Sequence, residues 1–99
     1  MDIIVQHTVR DYDAWKPAFE EHEATRARYG CKGHTIYRDP DSPNDVTLLM
    51  SWESRERAEE FFKDPSLREA MEKGGVTTEP RSTWLEEDES RQYAASRAA

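Results

Sequence analysis

Residues 3–30, IIVQHTVRDYDAWKPAFEEHEATRARYG, read as one strand feeding one amphipathic helix. In the strand half, Ile3, Val5, His7 and Val9 share one face, and Ile4, Gln6, Thr8 and Arg10 share the other. That period-two alternation predicts a half-buried strand over residues 2–10. In the helix half, Trp15, Phe19, His22 and Arg26 fall on a single stripe, because residues three and four apart lie on the same side of a helix. Asp11 or Asp13 can cap this helix, Pro17 is tolerated near its start, and Gly30 closes it. Two histidines and a tryptophan are thereby directed toward one space.

Outward from this stretch the pattern repeats with a hairpin in the middle. Residues 31–38 read as a second strand, with Gly33, Thr35 and Tyr37 opposing His34 and Ile36. DPDSPND is a turn, and residues 46–53 form a third strand, apolar at Val46, Leu48, Met50 and Trp52. Ser54 caps a second helix with Ala58, Phe61 and Phe62 inward. Asp64–Pro65 opens a short third one with Leu67 and Met71 inward, ended by Gly74 and Gly75. Residues 76–85 read as the last strand, placed at a sheet edge by Pro80. The order β-α-β-β-α-β predicts an α+β, ferredoxin-like domain: a four-stranded antiparallel sheet with its helices on one face. The domain is expected to span residues 1–87, and residues 88–99 to form a charged, alanine-rich tail or a short docking helix. The bare sheet face, carrying Ile4, Leu49 and Leu85, calls for a cover, and a second copy of the chain would supply it.

Bulk composition narrows the functions. Ninety-nine residues make one domain with a modest core. A net charge of −7 argues against nucleic acid, which needs a basic face, and against anionic membranes. It also disfavours strongly acidic substrates unless local arginine overrides the field. Cys31 is the only cysteine, so neither an internal disulfide nor a cysteine metal cluster is expected. It reads as a small packed residue. No signal pattern and no membrane-length apolar run is visible, so the expected location is the cytoplasm. The acidic runs EEHE and EEDE read as solvated faces.

VQHTVRDYDAWKPAFEEHE, GHTIYRDPDSPNDV and FFKDPSLREAMEKGGV together resemble the dimeric α/β-barrel proteins, and within them the antibiotic-biosynthesis-monooxygenase and small polyketide cyclase group. The resemblance covers residues 3–86. It implies paired ferredoxin-like sheets and a pocket between sheet and helices in each subunit. Members of such families oxidise aromatic polyketides without metal or flavin, cyclise them, degrade haem, or have no known activity. The DYDxWKxxFxxHE stretch looks like a feature of an uncharacterised branch. The asparagine–tryptophan–histidine set of haem-degrading relatives does not map, since the only asparagine, Asn44, sits in the turn.

The leading expectation is a cofactor-independent monooxygenase- or cyclase-like enzyme, working as a homodimer on an aromatic molecule. His7 or His22 would be its base, near neutrality by nature, although either residue can equally be a hydrogen-bonded core histidine. Tyr37 or Arg38 would steady the oxyanion. Trp15, Phe19, Phe62, Trp52 and Trp84 would wall the pocket, the last two serving equally well as core filler. One alternative is a non-catalytic ligand-binding or stress-associated dimer. The other is a metal enzyme using His7, His22 and His34, with Glu20 or Glu23 as an oxygen ligand, though no histidine pair has metal-motif spacing.

Overall fold

In a computed structural model of the chain, which describes residues 1–94, the alternating N-terminal stretch forms β1, Asp2–Thr8. The strand is shorter than its pattern. Val9 keeps only an isolated bridge to Val76, its amide bonds the Asn44 carbonyl, and Arg10 bonds Gly75. These loop contacts draw the chain out of the sheet and aim it into the first helix.

The helix expected as one piece is two: α1, Tyr12–Glu21, and α2, Glu23–Arg28. Asp11 caps α1 by accepting from the Asp13 amide. The break falls at His22, with φ −87° and ψ 0°. Its cause is local. The His22 amide makes a tightened bond to the Phe19 carbonyl, and the Arg26 side chain reaches back to the same oxygen from one Nη1, at 2.8 Å. That carbonyl thus accepts two bonds at the break, one from the backbone and one from a side chain.

After Gly30 come β2, Cys31–Arg38, and β3, Asp45–Trp52, paired antiparallel with His34 opposite Met50 and Arg38 opposite Val46. Ser54 caps α3, Arg55–Phe62, by accepting from the Arg57 amide. Asp64 caps α4, Pro65–Gly74, by accepting from the Ser66 amide, and Gly75 ends it in the left-handed region at φ +74°. The last strand, β4, is Arg81–Leu85. It begins only after Pro80, so the predicted strand over 76–85 is shortened by the residue that cannot donate to a ladder.

The sheet order is β2-β3-β1-β4, antiparallel throughout: the ferredoxin-like arrangement, with β4 at an edge. Ile3, Val5 and His7 of β1 and Val46, Leu48, Met50 and Trp52 of β3 face the helices and are buried. They pack with Trp15, Ala58 and Phe61 into one core. The opposite face carries Ile4, Gln6, Thr47, Leu49, Tyr37 and Leu85, and no described helix covers it; Tyr37 is 55% exposed. Residues 88–94 form neither helix nor strand, and the remainder of the expected tail, 95–99, lies outside the described residues. No helix among the described residues is long and apolar enough to cross a membrane.

Helix α4 seats against α1 where Gly74 meets Trp15. A Cβ built on Gly74 would stand 2.9 Å from Trp15 Cδ1 and 3.5 Å from the Ala18 methyl. The indole is buried and rigid, so it cannot give way cheaply. Gly74→Ala gains at most about 1 kcal/mol of helix propensity. Overpacking costs about 1–3 kcal/mol, so the substitution is expected to destabilise. Urea unfolding of the variant should show a lower midpoint at unchanged slope.

Candidate functional site

The space between sheet and helices is a cavity of about 110 Å³. The floor comes from Val5 and His7 of β1 and from Leu48 and Met50 of β3. Trp15 and Phe19 of α1 form one wall, stacked with ring centroids 4.9 Å apart. Phe61 and Phe62 of α3, with Leu67 and Met71 of α4, form the other. Against these apolar surfaces stand three buried polar side chains: His7, His22 and Arg26. That is the composition of a ligand site, apolar walls with a few convergent polar groups.

His7 presents its edge to Trp15, centroids 5.6 Å apart, and its Nδ1 is buried with no hydrogen-bond partner. Burial pushes its pKa below the ordinary 6.5, opposed in part by a contact with its own backbone, so the neutral ring is favoured at neutral pH. His22 sits at the α1–α2 break, and its Nε2 shares a hydrogen bond with Ser66 Oγ, 2.8 Å away. Burial, then the charge of Arg26, lowers its pKa too. Ser66 belongs to the capped start of α4, where Asp64 also accepts from the Tyr29 hydroxyl at 2.5 Å. That bond, with those from Ser66, holds the Asp64 carboxyl down at about 2. His22 therefore ties α4, one wall of the cavity, to the break between α1 and α2.

Arg26 is 3% exposed. Its guanidinium lies 3.7 Å over the Phe19 ring, one Nη bonds the Phe19 carbonyl, and the other Nη is buried with no partner. The ion pairs among the described residues, such as Lys16–Glu20 and Lys73–Glu21, lie on the surface and do not include it. Sequence reasoning placed Arg26 on the stripe but not in the site. Its spacing from Phe19 and His22 was the available signal: an arginine amid an apolar helix face must find partners or a task.

The structure gathers His7, His22, Trp15, Phe19 and Phe62 around the cavity and leaves the other expected residues outside it. Tyr37 projects from the opposite sheet face, the consequence of period-two alternation in β2. Arg38 is on the helix face but at the far end of the strand, stacked 3.7 Å over Tyr12 and bonded to the Pro43 carbonyl. Trp52 is wholly buried against Phe61, and Trp84 packs on Phe62 at the β4 edge; both serve the core rather than the cavity wall. His34 lies edge-on to Phe19 outside the cavity, so the three histidines do not converge. Among the described residues no group of three His, Cys, Asp or Glu side chains is placed to hold a metal ion. Cys31 is half-buried, with burial raising its thiol pKa, the opposite of what a nucleophile needs.

The profile of the antibiotic biosynthesis monooxygenase family matches residues 11–73, from the α1 cap to the end of α4. The chain belongs to that family. Among solved structures it is similar to SnoaB, a cofactor-independent oxygenase from Streptomyces nogalater, at 18% identity and TM-score 0.69, over 87% of this chain and 92% of that one. It is also similar to a putative antibiotic biosynthesis monooxygenase from Bordetella bronchiseptica, at 17% identity and TM-score 0.71 over 83% and 90% of the two chains. A counterpart from Chloroflexus aurantiacus matches at 19% identity and TM-score 0.64, over 90% and 95%. At these identities the likeness is one of fold. No curated protein matches the chain by sequence.

The buried histidines make stability depend on pH. Below about pH 6.5 the unfolded chain binds protons that folded His7 and His22 resist, so the unfolded state gains. Stability is therefore full above that value and falls as pH drops toward the lowered folded pKa values. Asp64 contributes nothing to this window, because its own loss begins only below its ordinary 3.8. Thermal melts between pH 7.5 and 5 should show a falling midpoint, and His7→Phe, of similar shape and untitratable, should flatten part of that fall.

Proposed function

We propose that the chain is a cofactor-independent oxygenase-type enzyme that takes a proton from an aromatic or enolisable molecule held in the cavity. The observation that carries this reading is that His7, which burial biases toward its neutral form, and Arg26, which keeps one buried Nη without a partner, both line one apolar cavity. The family membership and the fold it shares with SnoaB support it.

His7 accepts a proton from a carbon acidified by a neighbouring oxygen-bearing ring or carbonyl. Arg26 donates to an oxygen of the substrate and holds the ring against His7, the role that the sequence suggested for Arg38 or Tyr37. The aromatic walls exclude water, which strengthens both interactions. The electron-rich carbanion reduces dioxygen, the co-substrate, and combines with it to give a hydroperoxide. Loss of water from that hydroperoxide leaves a carbonyl, so one CH₂ group and one O₂ become C=O and H₂O. No redox cofactor is needed, because the substrate supplies the electrons. His22, its Nε2 engaged by Ser66, acts as a positioning residue that holds α4 over the site.

In the same reading the domain works as a homodimer, two open sheet faces covering one another through Ile4, Leu49 and Leu85. A native mass spectrum should show twice the chain mass, and Leu49→Glu should shift it toward the monomer. The chemistry is tested by oxygen uptake with a panel of dihydroxybenzenes and cyclic 1,3-diketones. An active substrate should consume oxygen in proportion to carbonyl formed. His7→Ala should lower kcat/KM by about a hundredfold or more, the range of a lost general base. The wild-type profile should rise with pH to a plateau entered below 6.5, the ordinary histidine value. Activity untouched by His7→Ala would overturn the assignment, and ligand binding without turnover would favour the non-catalytic dimer.

A further inference from the structure

Arg26 is a buried cation that makes no ion pair among the described residues; the nearby carboxylate that acts on it, Glu23, does so only at a distance. One guanidinium face is used on Phe19 and one Nη on the Phe19 carbonyl. Those contacts explain why the residue folds where it does. They leave its second Nη, a charged donor wholly withdrawn from water, with nothing to donate to. A guanidinium carries five N–H donors in a rigid fork, and buried donors are nearly always matched. His7 and His22 are both biased toward their neutral forms, so Arg26 is the one charged side chain that lines the cavity among the described residues. The chain as a whole is acidic, at −7, and offers no carboxylate here. What the site lacks is an anion.

The second constraint is size. The cavity, about 110 Å³, is somewhat smaller than a cavity of about 150 Å³ that accepts benzene and well below the roughly 300–1,000 Å³ of sites for drug-sized ligands. Its walls are aromatic: Trp15 and Phe19 on one side and Phe61 on the other. A space of this size suits one ring at most, not a fused polycycle.

We infer that Arg26 makes the cavity selective for a compact anion, a one-ring aromatic carboxylate or phenolate whose oxygen accepts from the unpaired Nη while the ring lies between Trp15 and Phe61. The inference rests on the reading that this cavity is the substrate site, and it narrows the substrate class to small acidic aromatics. A charge-assisted bond to a buried guanidinium is stronger and shorter than a neutral one, and the planar fork favours a carboxylate over a rounder anion. The acidic surface then acts as a filter, because only an anion that desolvates into the slot gains the bond.

Calorimetric titration of the full chain with benzoate and with benzamide, its neutral near-isostere, tests the charge. Benzoate should bind about tenfold or more tighter, the scale of a charge-assisted bond. Arg26→Met should abolish that preference, and Arg26→Lys should restore part of it. Equal affinity of the two probes for the wild-type chain would overturn the inference, and this comparison stands even if Arg26→Met does not fold. Anthracene-9-carboxylate tests the size: it should bind no tighter than benzoate despite its larger apolar surface, and tighter binding would overturn the one-ring limit. Failure of the catalytic reading looks different. Selective binding of benzoate together with no oxygen uptake on 2,5-dihydroxybenzoate would uphold the anion site while removing the oxygenase.

Discussion

The constraint on which the molecule turns is the burial of Arg26. A guanidinium at 3% exposure has to be supported from every side that water has left, and its supports double as architecture. Its bond to the Phe19 carbonyl falls at the break between α1 and α2. Its stack on Phe19 fixes the ring that forms one wall of the cavity. The break in turn presents His22 to Ser66, which anchors α4 across the opening. Its other Nη is buried without a partner among the described residues.

The apolar walls matter as much as the polar groups. Trp15, Phe19, Phe61 and Phe62 remove water from around His7, and this removal is what lowers its pKa. An imidazole in water near neutrality is partly protonated and already hydrogen-bonded. Here burial biases it toward the uncharged form.

Most of the fold was legible because hydrophobic period is local. The alternation at Ile3, Val5 and His7, the caps at Asp11, Ser54 and Asp64, and the turn at DPDSPND each specify their element from within a few residues. Boundaries were less legible. The α1–α2 break coincides with a side-chain bond from four positions further on, and β4 begins only after Pro80, which cannot donate to a ladder. The site was half legible. Helical spacing brought Trp15, Phe19 and His22 together, and strand parity added His7. Tyr37 and Arg38 were assigned by chemical type rather than by face, and strand parity alone puts Tyr37 on the far side. Arg26 was visible on the stripe, yet its worth depends on which of its donors find partners, a fact of three-dimensional accounting that no spacing contains.

The sheet order has a consequence for how the chain acquires its site. β1 is central, flanked by β3 and by β4, so the first strand made must pair with residues 45–51 and finally with residues 81–85. Pairings of such long sequence separation form late, after the local helices and the β2–β3 hairpin. Val76, Pro80 and Ser82 close the cavity beside Val5 and His7. The pocket therefore does not exist in any partly folded form that lacks the last strand. During synthesis one edge of β1 stays unpaired until the final fifth of the chain is in place, a stretch of exposed backbone vulnerable to pairing with the wrong partner. Completion of the sheet and completion of the cavity are a single event.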